Sequence, residues 1–123
     1  MATILFKELS YAVVGAAMEV HRGLGPGYLE RVYQMAMAHE LGLRGIVFVT
    51  YRKLTVRYKN VIVGDYEADF VVEDKIILEI KAVARLHARH EVQTLNYLTA
   101  TGLRLGILMN FGASSLQTKR VVR

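Results

Sequence analysis

Cysteine is absent from the 123 residues, which excludes disulfides, thiolate metal sites, thiol nucleophiles and cysteine-held iron–sulfur clusters. Long apolar runs are absent as well. The richest, Tyr11 to Met18, is short and gives way to Glu19, His21 and Arg22, so no membrane-spanning segment is expected. The start shows no basic n-region and no small-residue cleavage site, and the expectation is a cytoplasmic protein. No internal repeat, low-complexity tract or linker divides the chain. No Gly-x-Ser-x-Gly elbow is present either. Gly23-Leu24-Gly25-Pro26-Gly27 is glycine-rich, but it follows no strand and matches neither the dinucleotide fingerprint nor a phosphate loop. It reads as a turn between two helices. His21, His87 and His90 lack the spacing of a zinc site, and no metal is assigned to them.

What is present points to a compact chain. A hydrophobic fraction of 53% over 123 residues suits one domain spanning 1–123 with a sizeable core. Sixteen Lys and Arg against eleven Asp and Glu give a net charge of +5, a balance that favours polyanionic partners. Arg52, Lys53, Arg57 and Lys59 fall in one strand region, Arg85, His87, Arg89 and His90 in another, and Lys119, Arg120 and Arg123 close the chain. They suit a phosphate-binding face, although a solvated surface accounts for each singly.

Apolar residues recurring every three or four positions, Leu5, Leu9, Ala12, Val13, Ala16 and Val20, predict a helix from about 5 to 22. A second is expected from Tyr28 to about Leu41, with Leu29, Val32, Tyr33, Ala36 and Leu43 near its apolar side and Gly42 as its stop. Alternating β-branched and aromatic residues then predict strands at roughly 47–58, 61–72 and 76–82, with turns at Lys59-Asn60 and Glu73-Asp74-Lys75. Helical spacing returns from His87 to Ala100, with Val92, Leu95 and Leu98 apolar and Gly102 past the end. Arg104 to Phe111 reads as a buried strand and Leu116 to Val122 as a charged edge strand. The order α-α-β-β-β-α-β-β is that of a mixed α/β layer fold.

The chemistry concentrates in the meander. Side chains alternate along a strand, so Glu79 and Lys81 share one face while Leu78 and Ile80 take the other. If Glu73-Asp74-Lys75 forms the hairpin loop, Val72 faces Ile76, and counting back sets Asp69 opposite Glu79. Like charges in that relation repel, and a divalent cation held by oxygen ligands resolves the conflict. Lys81 then stands beside the ion and any anion it polarises, an arrangement suited to phosphodiester hydrolysis. A loop one residue shorter or longer destroys the pairing. Glu79 and Lys81 are equally compatible with the solvated face of an amphipathic strand.

Other polar groups have two readings. Glu30 lies on the shoulder of the second helix's apolar stripe and can lean towards Asp69 and Glu79. An acid early in a helix also suits a capping box and the helix dipole. Gln93 and Tyr97, at i and i+4, share one face of the third helix. They can orient a phosphate or its attacking water, or serve as boundary residues against the sheet.

Taken together, these residues resemble a known family. Gly27-x-x-Glu30-x-x-Tyr33 is the signature of the GxxExxY family, placed in the PD-(D/E)xK nuclease superfamily. The likeness extends through Ala68-Asp69-Phe70, Leu78-Glu79-Ile80-Lys81-Ala82, Gln93-x-x-Asn96-Tyr97-Leu98 and Asn110-Phe111-Gly112. The resemblance implies a restriction-endonuclease-like core, a mixed sheet flanked by helices. It implies Asp69 and Glu79 as metal ligands, Lys81 as the catalytic lysine and Glu30 as an acidic partner from the preceding helix. Gln93 and Tyr97 match the Gln-x-x-x-Tyr element of RecB-like and Cas4-like nucleases. Ala68 stands where the superfamily name has proline, and the iron–sulfur cluster of Cas4-like relatives does not carry over.

The expected function is a Mg²⁺- or Mn²⁺-dependent nuclease acting on nucleic acid, DNA first. The ion is expected on Asp69, Glu79 and the backbone carbonyl of Ile80, with Glu30 as a further ligand. A homodimer is expected to supply substrate grip. The alternatives are a nucleic-acid-binding or assembly module with little catalysis and, third, an enzyme acting on a small phosphorylated or acidic metabolite.

Overall fold

A computed structural model describes residues 4–123. Its elements are α1 (Lys7–Leu24), α2 (Glu30–Leu43), β1 (Phe48–Tyr58), β2 (Val61–Val72), β3 (Ile76–Lys81), α3 (Ala88–Thr101), β4 (Leu105–Asn110) and β5 (Gln117–Val122). The element order matches that expected from the sequence. The strands form one sheet in the order β1-β2-β3-β4-β5, antiparallel except for the parallel pair β3/β4. A parallel pair needs a crossover, and α3 provides it.

The central strands are covered on both sides, which is why β3 and β4 read as near-continuous apolar runs. On one face α1 and α2 pack Val13, Ala16, Val20, Tyr33 and Met37 against Phe70, Leu78, Ile80, Ile107 and Phe111. On the other, α3 sets Tyr97 and Leu98 against Leu54, Ala68, Val71 and Ile77. Gly106 permits this second approach, because a Cβ there would lie 2.5 Å from Thr94 Cγ2.

Helix α2 differs from expectation at both ends. Its N-cap is Leu29, with no side-chain cap, so Glu30 is the first helical residue and closes no capping box. Helical geometry runs through Gly42, and the stop is Gly45 at φ 69. Gly45 N–H donates to Gly42 O and Ile46 N–H to Leu41 O, the two bonds of a Schellman ending. Its buried stripe is Tyr33, Met37 and Leu41, while Leu29, Val32 and Leu43 face outward. In α3 the buried residues are Thr94, Tyr97 and Leu98, and Val92 and Leu95 are exposed. In both helices the docking geometry, rather than apolarity alone, selects the inward stripe.

The end of β3 is held by Asn110. Its Oδ1 accepts from the N–H groups of Val83 and Gly112, and its Nδ2 donates to Val83 O and Gln117 Oε1, all at 2.9–3.0 Å. Gly112 makes room for this knot, since a Cβ would meet the Val83 backbone at 2.5 Å.

Candidate active site

The hairpin register follows the three-residue loop. Val72 pairs with Ile76, Val71 with Ile77 and Phe70 with Leu78. The ladder ends there, one step before Asp69 and Glu79. Instead of a backbone pair, Asp69 Oδ2 accepts from Ile80 N–H at 2.8 Å. Lys81 O accepts from Phe111 N–H, so odd residues of β3 bond β4 and even ones turn towards β2. The Ile80 carbonyl is therefore aimed into the opening that holds the Asp69 carboxylate.

Strict alternation breaks at Asp69. Ala68 lies in the core on the α3 face, yet Phe70 lies in the opposite core and Val71 returns to the α3 face. The neighbouring strand breaks at the same level: Tyr51 has φ 52, and Tyr51 and Asp69 drop out of the pairing between Thr50/Phe70 and Arg52/Ala68, well apart from the bulge at Val56/Arg57. A left-handed tyrosine costs about 1–3 kcal/mol and persists only where its surroundings over-determine it. Here the bend sends the Tyr51 hydroxyl towards α2, where it lies 3.4 Å from Gln34 Oε1.

Gln34 is a site neighbour that sequence reasoning missed. Its Nε2 donates to Asp69 Oδ1 at 3.2 Å and lies 3.5 Å from Glu30 Oε1, so it bridges the two acids. The signal was available in the i, i+4 spacing from Glu30. Tyr33 is drawn elsewhere. It is fully buried, donates from its hydroxyl to Gly25 O at 2.6 Å and stacks on Phe111 at 4.9 Å, pinning the α1–α2 turn.

Glu79 is the unusual group. It is 5% exposed, and its Oε1 is buried without a hydrogen-bond partner. Burial, reinforced by the Asp69 charge, pushes its carboxyl up to about 8 despite Lys81. Burial also raises Asp69, opposed by the Ile80 N–H and by Lys81. Glu30 is raised by burial too, with Lys81 opposing and Asp69 adding to the effect. The charge of Lys81 thus acts on all three acids, although Lys81 enters no ion pair among the described residues.

From the other side α3 contributes Tyr97, buried and tilted against Tyr66 at 5.6 Å. Burial and the neighbouring Glu79 carboxyl push its phenol up to about 12. Gln93 lies half-buried one turn earlier and lines the same groove as Tyr97. His87 and His90 cap α3: His87 Nδ1 accepts from Arg89 N–H, and His90 Nδ1 accepts from His87 N–H.

The donor set fits a hard divalent cation. A buried carboxylate with an orphaned oxygen, Glu79, and a half-buried one, Asp69, gain from a positive charge, and an aimed backbone carbonyl adds a third oxygen. Among the described residues no three His, Cys, Asp or Glu side chains converge into a metal-holding group, so Glu30 stands outside the pair.

A family model described as the PD-(D/E)XK nuclease superfamily matches residues 7–121. The chain belongs to this superfamily. Its three helices and five-stranded mixed sheet are the restriction-endonuclease-like fold. Nucleases of this superfamily act on nucleic acid and generally use divalent metals. The crystal structure of SSO0001 is similar at a TM-score of 0.63 and 16% identity, over 76% of this chain and 49% of that one. This chain therefore spans about half the length of that relative, and the likeness concerns the fold alone. No curated protein matches the sequence. Among the described residues no helix is long and apolar enough to cross a membrane.

Proposed function

We propose that this superfamily member, as a single domain over residues 1–123, is a Mg²⁺- or Mn²⁺-dependent nuclease that hydrolyses phosphodiester bonds in DNA. The observation that carries the reading is the buried, unpartnered Glu79 Oε1 beside the half-buried carboxylate of Asp69. Asp69, Glu79 and the carbonyl of Ile80 would hold the ion, and Glu30, linked to Asp69 only through Gln34, would have to swing in from α2 to join them. When bound, the ion polarises a phosphoryl oxygen and makes water more acidic. Lys81 orients the attacking water and offsets negative charge growing on the phosphoryl group. Gln93 and Tyr97 position the scissile phosphate. With its phenol pushed up to about 12, Tyr97 keeps its proton at neutral pH and donates a hydrogen bond. The protein works in the cytoplasm as a homodimer.

The test is oligonucleotide cleavage with Mn²⁺ by wild type, Lys81→Ala and Asp69→Ala. Each variant is expected to lose at least about a hundredfold in rate. Wild-type cleavage in both overturns the reading. A second reading, a nucleic-acid-binding or assembly module without robust turnover, draws on the lack of a third converging ligand side chain among the described residues. Salt-sensitive DNA binding with no metal-dependent turnover favours it.

A further inference from the structure

Tyr97 and Gln93 belong to a larger feature. A groove of about 800 Å³ lies between α3 and the β1–β2 hairpin, lined among others by Arg57, Tyr66, Arg89, Gln93, Asn96 and Tyr97. Its lining runs from Arg57 on the hairpin to Tyr97 on α3, whose phenol feels the Glu79 charge. Arg57 and Arg89 are both exposed, and neither guanidinium has a hydrogen-bond or ion-pair partner among the described residues. Two like charges thus face one cleft from opposite walls with no protein anion between them. Tyr66, 46% exposed, lines the same cleft and is tilted against Tyr97 at 5.6 Å.

We infer that this groove receives an unpaired DNA strand and feeds it to the carboxylate pair. The inference rests on the nuclease reading of that pair and adds the form of the substrate. Cations on both walls suit successive phosphates, and an exposed aromatic ring suits a base, whatever its identity. The amides of Gln93 and Asn96 offer donors and acceptors to sugar or phosphate. An exposed ring that can stack on a base favours an unpaired strand, whose bases are free to stack, over a duplex, whose bases are already paired and stacked.

The test is fluorescence anisotropy of a labelled oligodeoxynucleotide, single-stranded or annealed to its complement, with chelator present so that nothing is cut. The single strand is expected to bind at least about tenfold more tightly than the duplex. Arg57→Ala with Arg89→Ala is expected to weaken strand binding at least about tenfold and to flatten its log–log salt dependence by about 1.4, the contribution of two phosphates. Tyr66→Ala is expected to cost about fivefold or more, and Tyr66→Phe to restore the affinity. Melting temperature checks that each variant folds. Equal affinity for strand and duplex, or wild-type affinity and salt slope in the double arginine variant, overturns the inference. Cleavage indifferent to strandedness and to both arginines also overturns it, while leaving the nuclease reading intact. Arginine-dependent strand binding without metal-dependent cleavage does the reverse.

Discussion

Two polar side chains are buried near the same end of the parallel pair β3/β4, and the fold treats them in opposite ways. Asn110 is fully buried and spends both its oxygen and its nitrogen on four hydrogen bonds. Glu79, two residues before the Lys81 that pairs with Asn110, leaves Oε1 with none and sits beside another acid. A satisfied buried amide ties strand ends together and rigidifies them. An unsatisfied buried carboxylate weakens the fold unless something outside the chain completes it. The asparagine corner is therefore built for structure and the glutamate corner for a ligand, within one sheet and a few residues.

The sharpest way to test that contrast is Glu79→Gln. Cleavage is expected to fall at least about a thousandfold, as when a transition-state electrostatic group is removed, while at about pH 8.5, where Glu79 ionises, the ion-free protein melts higher than wild type. Loss of activity with gain of stability is the signature of a ligand site; a drop in both would make Glu79 a structural residue like Asn110. Asn110→Ala should behave oppositely, losing about 2–4 kcal/mol in urea unfolding because several buried partners are orphaned together. Stability unchanged by that substitution would break the comparison from the other side.

The pH dependence comes next in size. Glu79 holds its proton to about 8 in the folded chain against an ordinary 4.5, so the folded state binds more protons between those values. Stability of the ion-free protein must then decline as pH rises through that window, by an amount on the order of a few kcal/mol. Asp69 and Glu30, also raised, act with the same sign. Melting curves at about pH 5 and about pH 8.5 should show the fall, and Glu79→Gln should remove most of it. The smallest effect expected is that of Gln34→Ala. Freeing Asp69 Oδ1 should slow cleavage about tenfold with little change in melting temperature, since this residue positions an acid and bears none of the charge. A rate equal to wild type would remove Gln34 from the site.

Much of this site is legible because hairpins are local. The loop Glu73-Asp74-Lys75 sets the register from Val72/Ile76 to Phe70/Leu78, but the ladder ends one step short of the expected Asp69–Glu79 pair, and Asp69 bonds the Ile80 N–H instead. Periodicity likewise finds all eight elements. It misjudges which side of α2 and α3 is buried, because Leu29, Val32, Leu43, Val92 and Leu95 are apolar yet exposed. Apolar residues on a helix mark candidates for burial, and only the docking angle chooses among them. The capping-box reading of Glu30 fails for a related reason: the cap residue is Leu29, so the acid stands one step into the helix and is open to Gln34 and the strands.

Sequence alone determined the element order and the meander register up to Phe70 and Leu78, since each depends on contacts between residues close along the chain. Tertiary structure alone decided that α2 presents Gln34 to Asp69, that β1 and β2 break step together at Tyr51 and Asp69, and that α3 brings Tyr97 to Glu79. Those contacts join segments far apart in sequence. No two-residue or four-residue period can encode where one such segment comes to rest upon another.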